Sequence, residues 1–218
     1  MQFKEIKEKI LAYKRDGKKM FTTSSFQTHS IPLLHMISEI DASIPVVFIN
    51  TGYHFPDTIQ FRNKVADQLN LEVHDLRSDV PRINQKGKDG RLLFVSDPDY
   101  CCYINKTQPL ERWLMDNDIW INGVRADQSA ARQAMRPEQQ APFNVTRFHP
   151  LLDWNSKMIY DYKKLHDLPE HPLDSQGYMS IGCEPCTRRI DPEMMEREAR
   201  WYGLSKTECG LHADLIVK

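Results

Sequence analysis

Polar and apolar residues alternate along the chain in short blocks. The first twenty residues, MQFKEIKEKILAYKRDGKKM, read as a charged amphipathic helix. Residues 19–24 (KMFTTS) then predict a short strand running into the polar loop Ser24-Ser25-Phe26-Gln27, and residues 31–40 have helical spacing. The run IPVVFI at 44–49 is continuously apolar and rich in branched side chains, as a strand covered on both faces requires, and Asn50-Thr51-Gly52 ends it. Further on, the pattern predicts a helix over 58–69, a strand over 71–76, a helix over 109–116 and a strand over 118–124 (DIWINGV). Residues 146–152 add a strand, and 153–165 a helix with Asp153 as its N-cap.

Strands that alternate with helices predict an α/β fold with a mostly parallel sheet flanked by helices and right-handed crossovers. Ligands of such sheets sit beyond the carboxyl ends of the strands, so the loops after Thr23, Ile49 and Val124 are the expected site. Residues 85–90 and 132–142 read as loose. From Asp167 onward the periodicity fades into Pro, Gly, Cys and Arg, which suggests an appendage built around something other than a core.

Charge narrows the choice of partners. The chain has 218 residues with 29 basic and 30 acidic side chains, so no global basic field draws it to nucleic acid or an anionic membrane. An anionic ligand must therefore be met by a local cluster. The first residues contain no apolar signal core and no long apolar run occurs, so a cytoplasmic protein is expected.

Five cysteines, Cys101, Cys102, Cys183, Cys186 and Cys209, form an odd set that argues against a disulfide framework and leaves them open to metal or redox chemistry. Two soft-ligand pairs suit zinc or an iron-sulfur cluster. An adjacent pair fits the spaced zinc pattern poorly, and Cys101-Cys102 can serve one centre only from a helical or kinked segment, because neighbours on a strand point to opposite faces. Buried small hydrophobes, or a redox disulfide at Cys183-Glu184-Pro185-Cys186, are the competing explanations. Cys209 lies near the last residue with Lys206, His212, Arg197 and Arg200 around it in sequence, a setting that favours thiolate.

Several segments resemble the assimilatory sulfonucleotide reductases, specifically the cluster-bearing adenylyl-sulfate reductases: CCYINKTQPL from Cys101, GVRADQSAAR from Gly123, HPLLDW from His149, DSQGYMSIGCEPCTR from Asp174 and RWYGLSKTECGLH from Arg200. The resemblance runs from about Thr22 to His212. It implies an adenine-nucleotide fold related to the ATP pyrophosphatases, with residues 1–166 as the nucleotide-binding part carrying Cys101 and Cys102, and 167–218 as a cluster-binding segment and mobile catalytic tail of the same domain. It further implies a four-iron four-sulfur cluster on Cys101, Cys102, Cys183 and Cys186, with Cys209 as the nucleophile. The substrate is then adenylyl sulfate and the reductant thioredoxin or a similar dithiol protein, with a homo-oligomer left open. Ser24, Ser25, Lys106, Arg125, Arg197, Arg200 and His212 are the expected substrate-binding residues. Arg197 and Arg200, three apart, are expected to share a helix face, with Glu193 and Glu196 as alternative ion-pair partners. Reduction of the 3′-phosphorylated nucleotide, RNA thiolation and a zinc-stabilised binding module are the rival readings. The loop after Ser25 departs from the family pattern, carrying Gln27, Thr28 and His29 in place of Gly and an acidic pair.

Overall fold

The computed structural model describes residues 1–194, 197–204, 206, 208–213 and 215, with His212 and Ala213 described through their backbone alone. In chain order it holds α1 (Phe3–Arg15), β1 (Met20–Thr23), α2 (Ile31–Asp41), β2 (Val46–Ile49), α3 (Pro56–Gln68) and β3 (Val73–Leu76). Two short helices, α4 (Leu93–Ser96) and α5 (Pro98–Cys102), lead through a π-helical turn (Tyr103–Thr107) into α6 (Gln108–Asp116) and β4 (Ile119–Asn122). Then come α7 (Ala130–Gln133), β5 (Glu138–Ala141), β6 (Val145–Phe148), α8 (Ser156–Leu165) and the tail helix α9 (Gly210–Ala213). Among the described residues no helix is long and apolar enough to cross a membrane.

Six strands form one sheet in the order β3-β2-β1-β4-β6-β5, parallel throughout except for the antiparallel β5–β6 edge. Period-two alternation sorts its side chains. Val46, Phe48, Ile119, Ile121 and Phe148 face one layer, where α1, α2 and α8 supply Ile6, Ile10, Leu33, Ile37 and Ile159, and α3 supplies Phe61 and Val65. Phe21, Val47 and Trp120 face the other, against Leu110 and Leu114 of α6 and Leu215 of the tail. From β1 the chain winds outward to β2 and β3, and β4 then returns on the other side of β1. That reversal opens a crevice at the carboxyl ends of β1 and β4, where open α/β sheets bind ligands.

Several boundaries differ from expectation. The strand expected over 146–152 ends at Phe148, since His149 and Pro150 start a turn. Asn155, not Asp153, caps α8, its side chain accepting from the Met158 amide at 2.9 Å; Asp153 instead pairs with the N-terminal amine. The stretch read as loose at 132–142 contains β5. Residues 85–90 are likewise ordered by pairing, with the Gly87 amide bonding the Arg91 carbonyl at 2.8 Å.

Candidate active site

A cavity at the crevice is lined by Ser24 and Ser25 after β1, by Ile49 at the end of β2 with His54 in the loop beyond it, and by Asn122 at the end of β4 with Gly123, Val124 and Gln128 after it. All three loops expected to carry the site therefore do line it. Ser24 caps no helix; its hydroxyl oxygen accepts from the Phe26 amide at 3.0 Å and holds Phe26 in the left-handed region at φ 53°, an uncommon state for a buried aromatic residue. Gln27, one of the departures from the family pattern, donates to the Ser25 hydroxyl at 3.1 Å and accepts from the Ile181 amide at 2.9 Å, tying this loop to the segment before Cys183. Asn122 is only 3% exposed, yet neither end of its side-chain amide has a hydrogen-bond partner among the described residues, which leaves donor and acceptor for a ligand.

Cations line the rest of the cavity: Lys106, Arg132, Arg197 and Arg200, with Cys209 among them. The Lys106 ammonium stands 4.0 Å from Cys209 Sγ. Burial works to lower its pKa, but the charge of Cys209, then of Cys183 and Cys102, outweighs burial and raises it. Nε of both Arg197 and Arg200 is buried with no partner among the described residues, so each keeps a donor for an anion.

Arg197 reaches the cleft from a turn and Arg200 from an isolated antiparallel bridge with Thr187, not from the expected helix face. Arg197 donates to Glu208 at 2.8 Å, and Glu196 lies outside the described residues. Arg200 stacks over the Trp201 ring, 4.5 Å from its centroid, and packs on Gly182, where a Cβ would overlap the guanidinium. Because that obstacle is the end of a flexible side chain, Gly182→Ala is expected to displace Arg200 while sparing the fold. KM for a nucleotide substrate should rise about tenfold, the scale of one charged contact, with the thermal midpoint unchanged. A wild-type KM would show that Arg200 makes no substrate contact.

Arg125 departs from its expected place. It is fully buried, donates to Asp127 at 3.0 Å and to Ser156 at 3.2 Å, and is not among the residues lining the cavity. The arginine that enters the cleft from the same GVRADQSAAR segment is Arg132, aimed by the Ser129 cap of α7. His212 belongs to α9 by its backbone, and its side chain lies outside the described residues.

Beside the main cavity, Cys101, Cys102, Cys183 and Cys186 line a second, smaller one together with Lys106. Asp97 caps α5 by accepting from the Tyr100 amide at 3.0 Å, and Pro98 takes the first helical position. The adjacent cysteines thus lie on a helix, and the following π turn carries Lys106, so the pair has the helical setting it needs to address one centre. Opposite, the loop after β2 holds the second pair: Glu184 donates its amide to the Tyr53 carbonyl at 2.7 Å, and Thr51 Oγ1 lies 3.2 Å from Cys183 Sγ. Asn105 donates to the Cys101 carbonyl at 2.9 Å and is locked by a reciprocal amide pair with Gln85.

Burial, and then the neighbouring thiols, push Cys101 up to about 12 and Cys186 up to about 11; burial also raises Cys102. Among the described residues no three His, Cys, Asp or Glu side chains converge on a single ion; the four thiols surround a cavity instead.

The tail that carries Cys209 is docked. Arg147, buried on β6 and stacked 4.2 Å from the Trp120 centroid, donates to the Leu211 carbonyl at 3.0 Å, and Leu215 enters the core. Glu208 meets Arg132 and Arg197. Asn122, Arg132, Arg147, Gly182 and Glu208 were not among the residues expected at the site. Arg132, Gly182 and Glu208 sit inside the quoted motifs; Asn122 and Arg147 are ordinary strand positions, with no sequence signal of their own.

Fold and site together define an α/β protein with a cation-lined cleft at the reversal of its sheet and a four-thiol pocket alongside. The model of the phosphoadenosine phosphosulfate reductase domain matches residues 19–189, and the chain belongs to that family. The adenosine 5'-phosphosulfate reductase of Chelativorans sp. (strain BNC1) is 39% identical over 201 residues, 91% of this chain and 80% of that protein. The phosphoadenosine 5'-phosphosulfate reductase of Aliivibrio fischeri (strain MJ11) is 38% identical over 196 residues, 88% of this chain and 77% of that one. A crystal structure of phosphoadenylyl-sulfate (PAPS) reductase from Candida auris, a phosphate complex, shares the fold, with a TM-score of 0.64 and 23% identity over 76% of this chain and 81% of that one.

Proposed function

We propose that the protein is a cytoplasmic, thioredoxin-dependent adenylyl-sulfate reductase that releases sulfite and AMP in assimilatory sulfate reduction, the route to cysteine. The observation that carries this reading is the Cys209 thiol 4.0 Å from the Lys106 ammonium, in a cleft that Arg132, Arg197 and Arg200 also line. A nucleotide sulfate brings two anionic groups, and net charge near zero leaves this local cluster to receive them.

The Cys209 thiolate attacks the sulfur of adenylyl sulfate. An S–S bond forms, the S–O bond to phosphate breaks, and AMP leaves with the bonding pair. Lys106 and the arginines stabilise charge on the sulfonate oxygens and the departing phosphate. A dithiol such as thioredoxin then attacks Cys209 Sγ and displaces sulfite, which carries the electron pair of the S–S bond. Its second thiol releases Cys209 and leaves thioredoxin as a disulfide, so sulfur gains two electrons and the dithiol loses two. Ser24, Ser25 and the Asn122 amide are available to the nucleotide, at the position where hydroxyls and backbone amides bind phosphate in related sheets.

Cys101, Cys102, Cys183 and Cys186 are the residues that would hold a four-iron four-sulfur cluster, and the donor set fits one: four thiols around one cavity, with the Thr51 hydroxyl and the Asn105 amide close to their sulfurs. When bound, such a cluster with its four thiolates would place net negative charge beside Lys106 and would tie the two cysteine pairs to each other. Cys183→Ser is expected to lose iron and labile sulfide in protein purified without oxygen, and iron equal to wild type would remove Cys183 from the ligand set.

Anaerobic turnover with adenylyl sulfate and its 3′-phosphorylated analogue side by side, thioredoxin as reductant and sulfite as readout, tests the assignment. A preference for adenylyl sulfate is expected. Faster reduction of the analogue would move the protein to the neighbouring specificity, and no sulfite from either would overturn the reading.

A further inference from the structure

Glu208 precedes the proposed nucleophile and is itself surrounded by donors. Its Oε1 accepts from Arg132 at 2.9 Å, from Arg197 at 2.8 Å and from the Cys209 amide at 3.0 Å; its Oε2 accepts from Arg132 Nε at 3.0 Å and from the Ser129 hydroxyl at 3.1 Å. The Arg132 fork is bidentate and, at 7% exposure against 9% for Glu208, the pair is almost wholly buried. Burial works against the carboxylate, but Arg132 and then Arg197 outweigh it and hold the Glu208 pKa down at about 2. A buried charge pair this fully bonded is costly to break by removing one partner.

Charge balance separates two roles for this carboxylate. The four cations of the cleft are matched by two substrate anions, the Cys209 thiolate and Glu208 together. Glu208 therefore need not leave when substrate enters. Resting on the proposed sulfonucleotide chemistry, we infer that Glu208 is a positioning residue: seated on Arg132 and Arg197, it latches the tail so that the Cys209 thiol stays over Lys106. Ser129 and Arg132 form the receiving half, which gives the end of the GVRADQSAAR segment a task separate from nucleotide contact.

Glu208→Gln in the full-length, anaerobically purified protein tests this. At saturating adenylyl sulfate, single-turnover formation of the Cys209 adduct should slow by about ten- to a hundredfold, the scale of losing charge-assisted hydrogen bonds. KM should stay within about twofold. Glu208→Asp, which keeps the charge, should recover part of the rate. Arg132→Gln combined with Glu208→Gln should lose no more than the worse single variant, since both remove one interaction. In resting protein, tryptic cleavage after Lys206 should be about tenfold faster in Glu208→Gln than in wild type, as expected of a segment released from its docking contacts.

A Glu208→Gln variant with lower KM and an undiminished rate would overturn the proposal, because the carboxylate would then be a stand-in that substrate displaces. Equal tryptic rates would overturn it as well. If wild type formed no adduct at all, the functional reading would fail, while the tryptic comparison would still report on the latch.

Discussion

Replacing Cys209 by serine is expected to abolish sulfite production, with kcat lowered by about 10⁴-fold or more, the scale on which enzymes respond to loss of a nucleophile. A serine hydroxyl in the same place is not ionised near neutral pH and is a far weaker nucleophile than a thiolate. The cations stay where they are, since Lys106, Arg132, Arg197 and Arg200 are each positioned by other contacts: the π turn, the Ser129 cap, Glu208, and Gly182 with Trp201. Nucleotide affinity measured by calorimetry should therefore remain within about threefold of wild type. Iron content should be unchanged, because Cys209 lies outside the four-thiol cavity. Sulfite production above about one per cent of wild type would move the nucleophile to another thiol.

Lys106→Ala carries the next largest expected effect. Lys106 lines both cavities; among the described residues it and Cys183 are the two that the cleft and the four-thiol pocket share. Its ammonium lies 4.0 Å from Cys209 Sγ. In the proposed reaction, removing it takes away positive charge where the attacking sulfur, the sulfonate and the thiol pocket meet. The loss in kcat/KM should be on the order of 10²–10³-fold, comparable to deleting one donor from a preorganised oxyanion site. Single-turnover kinetics under anaerobic conditions would measure it, alongside iron analysis to show that the pocket is intact. A loss smaller than about threefold would take Lys106 out of the reaction centre.

Much of this arrangement can be read from residues alone, for identifiable reasons. The runs at 44–49 and 118–124 are apolar on both faces because their strands lie in the middle of the sheet, so they stand out; β2 and β4 fall inside them. The opposite holds for β5. Glu138-Gln139-Gln140-Ala141 is an edge strand with one partner and largely exposed side chains, and it carries no apolar signal. The helix cap shifted from Asp153 to Asn155 because Trp154 packs into the core and Asp153 reaches the N-terminal amine, a contact 152 residues away in sequence.

For the site, the sequence shows that the adjacent cysteines need a helical or kinked segment if they are to share one centre, and α5 with its π turn supplies that segment. The choice between Arg125 and Arg132 could not be made in the same way. Both stand in one motif, and only the tertiary partners decide that Arg125 turns to Asp127 and Ser156 while Arg132 enters the cleft. The same limit applies to Arg197 and Arg200. Their three-residue spacing suggested a helix, whereas their directions are set by Glu208 and by the bare backbone of Gly182, each distant in the chain or invisible to periodicity.

The central claim is that sulfur passes from the nucleotide to the tail thiol before any reductant acts. Anaerobic protein incubated with adenylyl sulfate alone, digested and analysed by intact-peptide mass spectrometry, tests it most directly. A single sulfonate addition on the peptide containing Cys209, formed together with one AMP and removed by added thioredoxin, is the predicted result; an unmodified Cys209 peptide, or the addition on Cys101, Cys102, Cys183 or Cys186, would contradict it.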